Sequence, residues 1–301
     1  MGSSSAHWHL SARVSPLRRV LRHAEALGRL ARPVNLLLIT ATSLSAQLLL
    51  WSKTERYYPP WTEWSWMLLS TLLIAAGGYW LNDLYDQLID RINRPTRAMW
   101  VARAGQRFLL TATSAAWLLG VIIALNLPLR ILILHIGAIL VLAWYARFGK
   151  RTGLLGNAAV ATLTGMVPWE VILLSERTTY ATAWMVPLAI GFNFVRELVK
   201  DAEDLPGDQT YGVRSLPGRI STSAWSRLLY ALWIALIGLA LMPAGLYYVV
   251  WDKLPIPFIT AILPTTILPL LWGLSEWGDY RFMSLTLKFA MVGGLIALWT
   301  F

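Results

Sequence analysis

The chain contains no cysteine, so it has neither a disulfide framework nor a thiolate metal site. Acidic residues are scarce, 16 against 26 Lys and Arg. The short alternating apolar segments that would spell a transmembrane β-barrel are also missing. Residues 1–12 are polar, are expected to be disordered, and hold no apolar run of the signal-peptide kind. Nothing resembles a nucleic-acid module, so the net charge of +10 reads as topology-setting charge at helix ends, with no nucleic acid as partner.

What the chain does have is apolar length. Hydrophobic residues make up 56% of it and the mean hydropathy is +0.53. Several stretches run near 20 residues almost without charge, enough to cross about 30 Å of hydrocarbon. Seventeen Trp are present, many near segment ends (Trp51, Trp61, Trp64, Trp66, Trp100, Trp251, Trp277), as at membrane interfaces. The reading is an all-α membrane protein with nine transmembrane helices in a bundle, roughly 33–51, 64–84, 106–126, 129–146, 154–174, 182–200, 224–247, 255–274 and 282–300. Before them, Arg13 to Ala31 alternates Val14, Leu17, Val20, Leu21, Leu27 and Leu30 with arginines, the pattern of an amphipathic interfacial helix. This divides the chain into a tail with interfacial helix, 1–31, and a membrane domain, 32–301. With the N-terminus in the cytoplasm, 21 of the 26 Lys and Arg fall on that side. Lys53, Arg56, Arg130, Arg177 and Lys253 fall on the other. That asymmetry predicts an integral protein of the cytoplasmic membrane with its N-terminus inside.

Segments 2 and 6 then end at the same membrane face, and both end in acids. The first stretch is Asn82-Asp83-Leu84-Tyr85-Asp86-Gln87-Leu88-Ile89-Asp90. Asn82, Asp86 and Asp90, at i, i+4 and i+8, fall on one stripe of a helix. The second runs Glu197-Leu198-Val199-Lys200-Asp201-Ala202-Glu203-Asp204-Leu205-Pro206-Gly207-Asp208. Glu197, Asp201 and Asp204 lie within about 60° of one another on a helix. Pro206-Gly207 is expected to end that helix and leave Asp208 in a turn. Each cluster alone could be a solvated helix end paired with Arg and Lys. Two on matched ends point to a site. Neither contains His, so the donors are hard oxygens, which suit Mg2+ rather than zinc. Mg2+ takes one or two carboxylates and completes its shell with water and substrate phosphate, so the clusters would hold a polyphosphate between them. His135, inside segment 4, reads as a packed polar residue.

These motifs resemble the UbiA superfamily of intramembrane prenyltransferases. Asn82-Asp83-x-x-Asp86-x-x-x-Asp90 is similar to that family's first Asp-rich motif and Asp204-x-x-x-Asp208 to its second. Arg32-Pro33-Val34-Asn35, Asn93-Arg94-Pro95, Tyr145, Gly153 to Asn157 and Gly212 to Pro217 match in order. The stretch Arg196 to Asp208 is most similar to digeranylgeranylglyceryl phosphate synthases and their bacterial relatives. The resemblance implies Mg2+-dependent transfer of a prenyl group, geranylgeranyl by the closest likeness, from an allylic prenyl diphosphate to a lipophilic acceptor such as a prenylated glycerol phosphate. It implies two Mg2+ ions bound with the diphosphate. Asn82, Asp86 and Asp90 would serve one and Asp204 and Asp208 the other, with Asp83, Glu197 and Asp201 as support or alternative ligands. Arg94, Lys150 and Lys200 would contact the diphosphate, with Arg91, Arg147 and Arg151 as further candidates. Asn35 would sit near the metal and Asn157 near the diphosphate. Tyr145, Tyr85 and Tyr79 could face an allylic cation. The segments 85–105 and 205–222 would cap the site, and the tail tunnel would open to membrane lipids. Other readings keep part of this evidence. An aromatic-acceptor prenyltransferase changes only the acceptor, a transporter would want its acids nearer the midplane, and a phosphatidyl-transferring enzyme would leave the second cluster unexplained.

Overall fold

The structure, a computed structural model, describes residues 16–54, 59–213 and 215–301. Residues 1–12, Arg13, Val14, Arg56 and Arg214 lie outside the described residues, as do the side chains of Arg19 and Lys150.

The first helix, α1 (Pro16–Leu30), is cut from α2 (Pro33–Lys53) by Arg32, whose positive φ of 53° ends one helix, and by Pro33, whose fixed φ and missing N–H suit the first turn of the next. α1 is three-sided. Ala26 and Leu30 are buried in a small apolar cluster with Val101, Ala104 and Leu109. Leu17, Val20 and Leu21 are exposed, and Arg18, Arg22 and Arg29 lie between the two faces.

The bundle proper is α2, α3 (Trp61–Tyr85), α6 (Gln106–Ala124), α7 (Leu129–Phe148), α8 (Leu154–Ser175), α9 (Tyr180–Glu203), α11 (Thr222–Trp251), the broken helix α12 (Ile256–Ile262) with α13 (Leu268–Ser275), and α14 (Tyr280–Leu298). The short helices α4 (Gln87–Asn93), α5 (Pro95–Ala104) and α10 (Leu205–Thr210) gather at one end. Every expected segment is a helix within a few residues of its bounds. Eight are long and apolar enough to cross a membrane. The ninth, α9, has the length, 24 residues, but its last two turns carry Arg196, Glu197, Lys200, Asp201 and Glu203. The lipid-facing coat is apolar (Leu118, Ile122, Leu125, Ile133, Leu140, Ile234, Val249), as a bilayer requires.

A main core runs along α9, α11 and α14 around Trp233, Phe258, Met185 and Leu198. α12 and α13 are joined through a π-helical turn, Leu263–Ile267. There Thr265 donates to the Gly293 carbonyl at 3.1 Å, and the two backbones come so close that a Cβ on Gly293 would stand 1.9 Å from the Thr265 oxygen. This clamps α14 beside the cavity described next.

Candidate active site

The Asp-rich motifs meet at the end of the bundle that carries α4, α5 and α10. In the first motif α3 stops at Tyr85 and α4 resumes at Gln87, with Asp86 (φ −84°, ψ 0°) between them. The Asp86 N–H still bonds the Asn82 carbonyl at 2.9 Å and the Asp90 N–H the Asp86 carbonyl at 2.8 Å, so the three keep the i, i+4, i+8 helical spacing across the break. The second motif differs from expectation. Pro206 occupies the first turn of a new helix, α10, rather than a terminating loop, because its missing N–H costs nothing there. Asp208 is therefore helical, with its N–H bonded to the Asp204 carbonyl at 3.1 Å. The expected capping loops are largely these same short helices.

One side chain ties the two motifs. Asn93 Nδ2 donates to the Asp204 carbonyl at 2.7 Å, and Asn93 Oδ1 accepts from the Gly207 N–H at 2.9 Å. Arg94 spans the same gap, donating to Asp204 Oδ2 at 2.7 Å and lying 3.8 Å from Asp90. The fit at Gly207 leaves no room for a side chain, since an added Cβ would meet Asn93 Oδ1 at 2.5 Å. Gly207→Ala is therefore expected to push α10 off α4 and lower transfer activity about 100-fold, the scale set by a misplacement of about 1 Å. The tie carries this prediction, which fails if steady-state rates of the variant match the unmodified protein.

The other placements follow from the same end of the bundle. Asn82 donates to Asp86 at 2.8 Å and Asn157 to Asp201 at 2.8 Å. Lys200 and Arg196 both hold Glu197, at 2.7 and 3.0 Å. Asp83 is fully buried and ion-paired to Arg32 at 2.5 Å, with Arg97 at 3.6 Å. Its second oxygen, Oδ2, has no hydrogen-bond partner among the described residues. Arg32 also covers the Tyr79 ring, 4.8 Å from its centroid. Burial opposes the charge of Arg94, but Asp204 and Asp90 outweigh it and its pKa is raised. Arg97 is pushed down by burial and by the neighbouring Arg32 and Arg94. It is a cation that gains from an incoming anion.

Beneath this end lies a cavity of about 810 Å3. Asn35, Tyr79, Asn82, Asp86, Arg94, Arg97, Tyr145, Glu197, Lys200, Asp201 and Asp204 line it. Asp83, Asp90, Asn157 and Asp208 are buried close behind its wall. Arg91, Arg147, Arg151 and Tyr85 are exposed and are not brought to it. The side chain of Lys150 lies outside the described residues. Below the charged rim the walls are apolar. α2, α3, α7 and α8 supply part of them, for example Leu38, Ile74, Leu142 and Leu163, and α9, the π-helical turn and α14 supply another part.

Several residues escaped the sequence reading. Arg32 and Asn93 stood in pieces that match the family but were given no role, and Arg97 was visible only as a cation after the first motif. His135 is indeed packed, but in company the sequence did not announce. His135 Nδ1 contacts Ser70 Oγ at 2.8 Å and Nε2 contacts Glu170 at 3.1 Å, while Thr71 donates to both Glu170 oxygens at 2.9 and 3.0 Å. Thr71 lies about 21 Å along α3 from Tyr85, so this buried polar group closes the deep end of the cavity. A lone Glu in an apolar segment was the available signal.

Among the described residues no three acidic or His side chains converge as a ready metal cage. The oxygen donors stand instead on facing helices across the cavity mouth. That fits Mg2+ in kind, since it needs only one or two carboxylates and takes the rest from water and phosphate.

Comparison with known proteins agrees with this architecture. Residues 38–297 match the UbiA prenyltransferase family. A digeranylgeranylglyceryl phosphate synthase of Methanothrix thermoacetophila is 31% identical over 74% of this chain and 82% of its own. One from Korarchaeum cryptofilum is 35% identical over 58% of this chain and 62% of its own. A solved UbiA homologue from Archaeoglobus fulgidus bound to GPP and Mg2+ superposes with a TM-score of 0.64 at 16% identity, over 91% of this chain and 99% of that one. An all-helical bundle with two clasped Asp-rich motifs over an apolar cavity, matched along most of its length, places the chain in the UbiA prenyltransferase family.

Proposed function

We propose that the chain transfers a geranylgeranyl group from its diphosphate to the free hydroxyl of a prenylated glycerol phosphate, with Mg2+. The observation that carries this is the clasp of two Asp-rich helix ends over one apolar cavity. It gives a polar mouth for a diphosphate and a dry slot for its chain. The relatives named as digeranylgeranylglyceryl phosphate synthases support the acceptor.

In this reading Asn82, Asp86, Asp90, Asp204 and Asp208 would hold two Mg2+ ions, and Asp83 braces the first motif through its arginines. The bound ions would supply Lewis-acid neutralisation of charge on the departing diphosphate. Arg94 and Arg97 would contact its remaining oxygens, while Lys200 faces the same mouth from α9. The donor C–O bond breaks, the acceptor oxygen bonds to the allylic carbon, and the hydroxyl proton passes to a cavity carboxylate such as Asp201. Tyr145 and Tyr79 present ring faces and Asn35 a polar edge near the reacting carbon, while Asn157 positions Asp201. The apolar walls keep water from the cation. α1 (Pro16–Leu30) lies along the cytoplasmic face as an interfacial helix, and residues 32–301 form the transferase, its site opening on that face.

The test incubates the purified protein in detergent with geranylgeranyl diphosphate, with Mg2+ or with EDTA. Geranylgeranylglyceryl phosphate, 4-hydroxybenzoate or a naphthoate is the acceptor, and mass spectrometry reads the product. A Mg2+-dependent diether phosphate is expected. A prenylated ring alone would replace the acceptor, and no consumption of diphosphate by folded protein would remove the reading.

A further inference from the structure

Donor binding leaves one cavity residue without a task. Lys288 lies eight residues into α14, about 12 Å along the helix, within a span of mean hydropathy 1.5. A lysine at that depth is costly unless it turns to a protein interior or to water and finds an anion. Lys288 does turn inward, half-buried and lining the cavity. The charged groups acting on it are Arg196, Lys200, Glu197 and Glu203. Neither carboxylate is at its disposal. Glu197 already holds both Arg196 and Lys200, and Glu203 lies 3.4 Å from Arg281. Arg196, Lys200 and Arg281 thus take up these two carboxylates and leave Lys288 with no ion pair among the described residues.

The rest of α14 says what kind of anion would fit. Arg281, Ser284 and Lys288 head a stripe that continues as Met291, Leu295 and Leu298, all facing the same cavity. Their spacing puts them on one helix face. A cationic head followed by about 15 Å of apolar wall is complementary to an amphiphile. The wall supplied by α2, α3, α7 and α8 is a second apolar face of the same cavity, and Arg32 and Arg97 also line it. One cavity therefore has two groups of cations and two apolar walls.

We propose that Arg196, Lys200 and Lys288 form a second anion subsite, for the phosphate monoester of the acceptor, whose own prenyl chain lies along α14 while the donor's chain lies against the wall made by α2, α3, α7 and α8. This rests on the prenyl-transfer reading above. In a glycerol phosphate the free hydroxyl is on the carbon next to the phosphate-bearing one. Anchoring the phosphate at Lys200 and Lys288 directs that hydroxyl toward Asp201 and Asp204, which follow Lys200 on α9 within about one helical turn. The subsite would select acceptors carrying a phosphate over the corresponding alcohols.

The experiment compares Lys288→Met and Lys288→Arg with the unmodified protein. Initial rates are taken with geranylgeranylglyceryl phosphate and, separately, with geranylgeranylglycerol lacking the phosphate. Loss of one charge-assisted contact should raise KM for the phosphate acceptor about 10- to 100-fold in Lys288→Met. KM for the diphosphate and turnover of the alcohol should stay as they were, and Lys288→Arg should restore most of the loss. Equal losses with both acceptors, or a rise in donor KM, would overturn the subsite. Thermal protection of the unmodified protein by each acceptor is read in parallel. Protection by the phosphate and not by the alcohol, lost in Lys288→Met, supports the subsite without any turnover. Equal protection removes it. Failure of transfer to either acceptor removes the proposed reaction instead, so the two ideas fail on different readouts.

Discussion

Asp204→Asn is expected to lower kcat/KM about 100- to 1,000-fold, the range for removing one group that stabilises charge in a transition state. It should also raise the Mg2+ concentration needed for half-maximal rate about tenfold or more. The substitution is chosen because it spares the scaffold. Asn93 binds the backbone carbonyl of Asp204, not its carboxylate, so the clasp between α4 and α10 survives. Only the charge facing Arg94 and the cavity is lost. Rate against Mg2+ concentration is the measurement. Asp252→Asn serves as control, since Asp252 caps the C-terminus of α11 and is exposed, away from the cavity. Unchanged activity in Asp204→Asn would end the two-motif reading. The same change at Asp86, on the facing motif, should give a loss of the same order.

The other large effect is on stability. Arg32→Met should cost about 3–5 kcal/mol, because it removes a partner from a fully buried carboxylate. Asp83 has no exposed surface, and its remaining cation, Arg97, stands at 3.6 Å. Replacing both ends, Arg32→Met with Asp83→Asn, should recover much of that loss, since no buried charge is then stranded. Thermal unfolding in detergent of both single variants and the double variant completes the cycle. Additive losses would show that the pair is not what holds this corner. The cycle also separates two roles for Asp83. A brace loses stability when replaced alone, whereas a metal donor loses activity with its melting temperature intact.

The helices were legible because apolar runs of bilayer length have few alternatives to spanning. The bounds erred little for the same reason. The interruption at Asp86 was not legible. A stripe at i, i+4, i+8 reads the same with or without a one-residue break, since the i→i−4 bonds run through it. Pro206 misled in a different way, since a proline that stops one helix can start the next. Asp201, Asp204, Asn82 and Asp86 could be found because acids at a membrane boundary stand out. Lys288 and the His135–Glu170 pair could not be placed, since a single polar residue in an apolar segment does not say which way it faces. Cations were the hardest group to sort. Arg91 and Arg94 are three residues apart, yet Arg91 is exposed outside the cavity and Arg94 bridges two motifs.

The tie between Asn93 and Gly207 also has a history in time. Its partners are 114 residues apart in the chain. At ordinary rates of synthesis, about 5–20 residues per second, roughly 6 to 23 seconds pass between the appearance of one and of the other. Throughout that interval the first acidic helix end waits at the membrane face without its counterpart, while α6, α7, α8 and α9 are made and inserted. Short, amphipathic α4 and α5 suit such a wait, because they can rest at the water boundary without burying an unanswered charge. The clasp itself would then close late, when α10 emerges and meets a half-site assembled many seconds earlier, with the α14 wall of the cavity still to be added.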